Sequence, residues 1–256
     1  MTDLSVVVPT RNEAENIEPL ITRLTPVLAG SGRRWEVIVV DDSDDATPEV
    51  VEELKSNSDG SIVLLHREVW ERKGGLGGAV KCGFTKAAGR VLVVMDGDLQ
   101  HPPEVVPLLA APVLSGEADL VAGTRYGGAG DKNGLAGPWR QAVAVVCRWL
   151  AHLLLPRSQA LSDPMSGFFA LDRSVIDGVE LHPEGYKILL EVAARGNWHR
   201  VRNVGYRFER RLNGSSKASL REGAVFLRHL WSLSRETGRL ASANSHKAWP
   251  HDRGPQ

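Results

Sequence analysis

Residues 91–104 read VLVVMDGDLQHPPE, and the change of character within that stretch decides the fold. Val91 to Met95 is an apolar run without alternation, the pattern of a strand covered on both faces. The chain then turns acidic. Asp96 and Asp98 stand two residues apart, so in an extended segment their carboxylates point the same way. Pro102 and Pro103 then open a helix. A buried strand that ends in acid and runs into a helix is half of a βαβ unit.

The same unit recurs outward from there. Ser5 to Val8 reads as a buried strand ended by Pro9, Trp35 to Val40 (WEVIVV) as a second that ends at Asp41-Asp42, and Ser61 to Leu65 as a third. Ala118 to Gly123 holds the fifth. Between them come helical stretches at Glu13 to Leu28, from a cap at Asp45 or Thr47 through Leu54, and at Leu76 to Ala88. Pro19 and Pro26 are expected to break or shorten the first of these. Alternating strands and helices predict an α/β fold with a mostly parallel sheet flanked by helices.

Past Gly127 the pattern loosens. A glycine-rich loop (127–137) leads to an apolar helix at 141–155, then SDPMSGFFALDR, a helix from Tyr186 to Arg195 and a strand from Arg202 to Phe208. A basic loop, RRLNGSSK, precedes a helix from Leu220 to Leu240. One domain is expected over 1–241, with an N-terminal half at about 1–126 and a C-terminal half at about 127–241. The polar tail 242–256 is expected to be disordered.

Composition narrows the partners. Of 256 residues, 31 are Lys or Arg and 31 are Asp or Glu. That balance gives no global pull toward nucleic acid, so none is expected as a partner. Cys82 and Cys147 lack metal-ligand spacing and fall in apolar runs; they read as reduced core residues, which favours the cytoplasm. The N-terminus has neither a basic region nor a long apolar one, so no signal peptide is expected. No apolar stretch reaches the roughly 18 residues of a spanning helix. The nearest, Gln141 to Leu155, is interrupted by Arg148 and His152.

Three polar strand-ends carry the candidate chemistry: Pro9-Thr10-Arg11-Asn12-Glu13, Asp41-Asp42 and Asp96-Gly97-Asp98-Leu99-Gln100. Singly, each is ordinary turn chemistry. Together on one edge of an open α/β sheet they form the place where such sheets bind ligands. Asp96 and Asp98 can share one hard cation, with Gln100 adding a neutral oxygen. Arg211 and Lys217 flank Gly214 and suit an anion, although taken alone this loop reads more readily as solvated surface. Gly74-Gly75-Leu76-Gly77-Gly78 fails as a dinucleotide fingerprint, because Val80 occupies the third glycine position. Ser166-Gly167 lacks the frame of a nucleophile elbow, and the eight histidines show no paired metal-ligand spacing.

With these segments in view, the chain resembles a known family. VVVPTRNEAENI (6–17), VIVVDDSDDAT (37–47) and VVMDGDLQHPPE (93–104) resemble the nucleotide-binding segments of the family 2 inverting glycosyltransferases, which have the Rossmann-like GT-A fold. AGTRY (122–126), GPWR (137–140), SDPMSGFFALDR (162–173), GYKILLEV (185–192) and RLNGSSK (211–217) are similar to the polyprenyl-phosphate (dolichol-phosphate) mannose synthase group. The resemblance runs from about residue 4 to 230.

It implies nucleotide-sugar contacts at Pro9, Arg11, Glu13, Val40, Asp42, Asp96, Gly97, Asp98, Arg211 and Lys217, and metal ligands at Asp96, Asp98 and Gln100 for Mg²⁺ or Mn²⁺. Arg125, Arg140 and Lys187 are implied at the acceptor phosphate, and Asp98, Arg125 and Lys187 as catalytic. Arg11 stands where the family usually carries Tyr, and Gly97 where it usually carries Ala, a change expected to be harmless. The implied reaction moves mannose from GDP-mannose to a polyprenyl phosphate lipid. A glucosyltransferase using UDP-glucose and a non-catalytic nucleotide-sugar binding module are the alternatives.

The helix at 141–155 reads equally as core packing or, by the resemblance, as an interfacial helix on the cytoplasmic face of a membrane, with room for a separate membrane subunit. Family enzymes that attack with a sugar hydroxyl usually carry an acid where this chain has Gly185-Tyr186-Lys187. A phosphate acceptor needs no such base, because its second pKa is about 6.

Overall fold

The computed structural model describes residues 2–58, 60–126, 138–183, 187–209 and 220–245, without side chains at 138–142, 220–222, 224 and 237–245. Seven strands form one sheet: β1 (Leu4–Thr10), β2 (Trp35–Asp41), β3 (Ile62–His66), β4 (Val91–Val94), β5 (Leu120–Thr124), β6 (Phe169–Asp172) and β7 (Val201–Gly205). The helices are α1 (Ala14–Ala29), α2 (Thr47–Ser56), α3 (Gly75–Lys86), α4 (Val106–Leu114), α5 (Pro138–Leu154), α6 (Ile188–Arg195) and α7 (Leu220–Ser245). The strand order is β3-β2-β1-β4-β6-β5-β7. Every neighbouring pair is parallel except the two made by β6, which runs antiparallel to β4 and β5.

Alternate residues of the unbroken apolar runs feed two cores, one on each face of the sheet. Val6, Val8, Val37, Val39, Val91 and Val93 pack with the buried sides of α1, α2 and α4. Val7, Ile38, Val40, Leu92 and Val94 pack with α3 and α6. Covering on both faces is why the strands show no polar alternation. A third cluster joins α5, α6 and α7 through Ala151, Leu155, Leu190, Phe226, Leu230 and Leu233.

Several expectations are corrected. Pro19 and Pro26 do not break α1, which is continuous over 16 residues. Both prolines lie on its exposed side, where Glu15 and Thr22 are exposed too, so the carbonyls that lose a partner face water. Meanwhile Ile17, Leu20, Ile21, Leu24 and Leu28 hold the inner face. Inside SDPMSGFFALDR lies β6, where sequence reading assigned no element. The fifth strand starts at Leu120 and the seventh ends at Gly205, shorter than expected, because each lasts only as long as its neighbour. The C-terminal helix continues past Leu240 to Ser245. Cys82 and Cys147 are free thiols and only partly buried, each against a core cluster.

Helix α3 lies close against β1. A Cβ on Gly83 would sit 2.4 Å from Val7 Cγ1 and 3.2 Å from Val40 Cγ2. In an open helix Gly→Ala stabilises by about 1 kcal/mol; here overpacking reverses the sign. Gly83→Ala is expected to destabilise the fold by about 1–3 kcal/mol, read as a lower urea midpoint with unchanged slope.

Candidate functional site

The carboxyl ends of β1, β2 and β4 meet on one edge, and hydrogen bonds between their loops fix the arrangement. Asp41 is fully buried. Its carboxylate accepts from Thr10 Oγ1 at 2.8 Å, from the Ser43 backbone and hydroxyl, and pairs with His66 Nδ1 at 2.7 Å. Asn12 has a left-handed φ of 55°. Its N–H donates to Ser43 Oγ at 2.7 Å and its side-chain oxygen accepts from Asp44 N at 2.9 Å. The Glu13 N–H donates to Thr47 Oγ1 at 3.0 Å. These bonds lace the first two strand-ends together and leave Arg11 exposed on the rim.

Two of the implied nucleotide contacts, Val40 and Asp42, are buried. The Val40 side chain is wholly buried in the core, because odd and even residues of β2 serve opposite faces of the sheet. Asp42 is nearly buried, and both its oxygens are gripped by Arg67, with Nε to Oδ1 at 2.7 Å and Nη2 to Oδ2. Arg67 also donates to the Glu71 and Gly75 carbonyls, so it ties the second strand-end to the start of α3. Sequence reading passed over Arg67, although it directly follows β3 on the same edge. Arg72 adds a tie, with Nη1 to Asp44 Oδ1 at 2.6 Å and Nη2 to Ser43 O at 2.9 Å.

At the end of β4, Asp96 stays partly exposed while Asp98 is nearly buried. Asp98 Oδ1 accepts from Gln100 N at 3.1 Å, and Leu99 turns left-handed with φ 62° and buries its side chain. The Gln100 amide nitrogen donates to Glu209 O at 3.1 Å. A Cβ on Gly97 would stand 2.9 Å from Thr10 Cγ2, so the glycine lets β1 and this turn approach closely. Among the described residues no three His, Cys, Asp or Glu side chains gather as a metal site. Two carboxylates and an amide still suit a hard cation that takes its remaining oxygens from phosphate and water.

Of the three residues implied at the acceptor phosphate, Arg125 and Lys187 have described side chains. Arg125 is buried against Asp163, Nε to Oδ2 at 2.7 Å and Nη2 to Oδ1 at 3.1 Å. Burial opposes the arginine's charge, but Asp163 outweighs it and raises the pKa above the ordinary arginine value. Two of its three nitrogens are thereby committed, so Arg125 presents less cationic surface to a phosphate than its residue type implied. Its guanidinium carbon also lies 5.3 Å from the Phe208 ring centre. Lys187 donates from Nζ to Met165 O at 2.7 Å. The residue as a whole keeps some exposure, yet desolvation of its ammonium, with repulsion from Arg125, depresses its pKa to about 8. The backbone of Arg140 lies in the first turn of α5; its side chain, together with Arg211 and Lys217, lies outside the described residues.

Two surfaces complete the picture. On α5, Val143, Val145, Val146, Trp149 and Leu153 are exposed, and on the adjoining α7 so are Leu227 and Trp231. No described helix is long and apolar enough to cross a membrane.

The model of the family described as glycosyl transferase family 2 matches residues 5–178. A dolichol-phosphate mannosyltransferase of Pyrococcus furiosus is 38% identical over 241 residues, 93% of this chain and 65% of that protein, so the chain spans about two thirds of that relative's length. One from Saccharomyces cerevisiae is 36% identical over 90% of this chain and 85% of its own. Among solved structures, mannosyl-3-phosphoglycerate synthase from Rubrobacter xylanophilus superposes with a TM-score of 0.69 at 20% identity, covering 93% of this chain and 76% of its own. Glucosyl-3-phosphoglycerate synthase from Mycobacterium tuberculosis, crystallised with Mn²⁺ and UDP, gives 0.66 at 21%, covering 92% and 80%. These last two speak for the GT-A fold alone.

The depressed lysine has a testable sign. Its folded pKa of about 8 lies below the ordinary lysine value of 10.5, so the Lys187 charge is present below about pH 8 and lost above it. Anion binding at this site should therefore weaken as pH rises through that value, while the protein gains a little stability from there toward 10.5. Chemical-shift titration of ¹³Cε-lysine in the metal-free protein, assigned with Lys187→Arg, should show one resonance moving near pH 8. Titration at an ordinary lysine value would refute it.

Proposed function

The chain belongs to glycosyl transferase family 2, and on that premise we propose that it transfers a mannosyl group from GDP-mannose to the phosphate of a polyprenyl (dolichyl) monophosphate. Relatives named dolichol-phosphate mannosyltransferase, 35–38% identical over most of the chain, support the reading. The observation that carries the acceptor class is the state of two carboxylates among the described residues, Asp163 and Glu191. Asp163 is held by Arg125 and Glu191 by Arg195, and both are wholly buried. Neither is placed to take a proton from a sugar hydroxyl, which is a poor nucleophile without a base. A phosphate monoester is largely dianionic at pH 7 and needs cations to hold it, not a base.

The reaction is a single inverting displacement. An acceptor phosphate oxygen forms the bond to the anomeric carbon as that carbon's bond to the nucleotide diphosphate breaks, and GDP leaves with the electron pair. Asp96, Asp98 and Gln100 would hold Mg²⁺ or Mn²⁺, which when bound supplies positive charge to the departing diphosphate. Lys187 and the paired Arg125 keep a fixed positive field beside Asp96, and Arg140, Arg211 and Lys217 are assigned to the remaining phosphate oxygens. The laced loops of β1 and β2, with Asp42 held by Arg67, form the wall for the nucleoside. Trp149 and Leu153 on α5, joined by Leu227 and Trp231 on α7, lie in the cytoplasmic surface of the membrane that carries the lipid.

Incubation with polyprenyl phosphate and a panel of nucleotide sugars should yield a mannosyl-phosphoryl lipid from GDP-mannose, identified by mass spectrometry. Asp98→Ala should abolish turnover while circular dichroism stays native. Glucosyl lipid from UDP-glucose would favour the alternative donor, and a product glycosylated on a sugar hydroxyl would sink the acceptor class. The protein should also sediment with anionic vesicles and be released by high salt or mild detergent. The pair Trp149→Ser and Trp231→Ser should lose vesicle binding with little change in stability; extraction only by bilayer-dissolving detergent would contradict a peripheral attachment.

A further inference from the structure

The Asp96 amide is the first N–H beyond the hydrogen bonds that join β4 to β1, the last of which runs from Met95 N to Val7 O at 3.1 Å. An N–H in the interior that lacks a partner is costly. Here the partner is a side chain: Asp96 N donates to His101 Nδ1 at 3.0 Å. The left-handed turn at Leu99 brings the chain back to make this bond. Because Nδ1 is the acceptor, the imidazole carries its proton on Nε2. The 3.8 Å separation between Nδ1 and Asp96 Oδ2 is too long for a hydrogen bond.

The ring itself is fixed. His101 is almost wholly buried. It stacks on Phe168 with centroids 4.8 Å apart and planes at 13°, and the Tyr206 and Phe208 rings stand 5.7 Å away. The residue before Phe168 is Gly167, where a Cβ would lie 2.9 Å from Asp96 Oδ2 and 3.0 Å from Oδ1. One short segment thus bounds the Asp96 carboxylate and also clamps the ring that holds the Asp96 backbone.

We infer that His101 is a positioning residue for the divalent cation: it acts through the Asp96 main chain to hold the first carboxylate of the metal pair, and never touches the metal itself. The inference rests on the reading of Asp96 and Asp98 as metal ligands. Loss of a partner that orients a ligand typically weakens metal binding by about ten- to a hundredfold. Four variants of the full chain separate the causes. His101→Phe keeps the ring and its stacking but removes the acceptor. His101→Asn returns an oxygen at the δ position, and His101→Gln places it one bond farther out. Gly167→Ala pushes on the carboxylate from the other side.

Mn²⁺ is titrated by electron paramagnetic resonance with GDP and, separately, UDP present, reading protein-bound Mn²⁺ against protein-free controls. His101→Phe should bind Mn²⁺ at least about tenfold more weakly, His101→Asn should recover most of the loss, and His101→Gln should not. Turnover by His101→Phe should return toward wild type at high Mn²⁺, so that the metal requirement moves and kcat does not. Gly167→Ala should weaken Mn²⁺ binding as well. Should His101→Phe fail to fold, the Asn and Gln pair decides the matter, and equal affinity in those two overturns the inference. Wild-type affinity in folded His101→Phe overturns it while leaving the metal reading intact. A wild-type chain that binds no Mn²⁺ with either nucleotide overturns both.

Discussion

The site depends on a short antiparallel pairing. Strand β6, four residues long, lies between β4 and β5 and is hydrogen-bonded to both. Through it β3, β2, β1 and β4 become one sheet with β5 and β7. In the β4–β6 register Val94 stands opposite Phe169; two residues farther along, Asp96 comes opposite Gly167. The segment entering β6 also supplies Asp163 to Arg125, the Met165 carbonyl to Lys187 and Phe168 to His101. A parallel strand in this place would carry its preceding loop to the far edge of the sheet. Running antiparallel, β6 delivers those groups to the edge where the acidic strand-ends lie.

Buried ion pairs do the local fixing. Asp42 with Arg67, Asp163 with Arg125 and Glu191 with Arg195 each join residues from different parts of the site or from neighbouring helical turns. Taking such charges out of water costs several kcal/mol per ion, and their attraction seldom does more than offset it. In the first two the effect is geometric: a planar guanidinium held by two bonds sets the angle of its carboxylate. Removing one partner would leave a buried charge uncompensated, which is far more damaging than the pair is stabilising.

The C-terminal half is built differently from the sheet. Its helices α5, α6 and α7 share a small cluster of their own, and α6 docks to α7 through Arg195 and Glu236, with Glu191 facing His229 at 3.4 Å. Their outer faces keep Trp149, Leu153, Leu227 and Trp231 in solvent. Such a patch is unfavourable on a protein that meets only water. It suits the membrane attachment proposed above, since tryptophan is at home where an apolar interior meets a polar surface.

The sequence by itself determined the sheet and its active edge. Unbroken runs such as WEVIVV and VLVVM read as strands covered on both faces, and the polar residues that end them fall on one edge because strands joined by helical crossovers run parallel, which brings their carboxyl ends together. Period and punctuation are local properties, so they were legible. What only the tertiary structure decided is which polar groups are already spoken for. Asp42, Arg125 and Asp163 carry the residue types of a binding site, yet their charges largely satisfy partners 25 and 38 residues away. The Val40 side chain is committed to the core on one face of the sheet. His101 gave no metal-ligand spacing because it binds a backbone amide, and β6 was too short for its four residues to show a period. The prolines of α1 looked like breaks until their exposed side was known. In each case the deciding quantity was a distance or a burial between segments far apart in the chain, and local spacing carries no record of it.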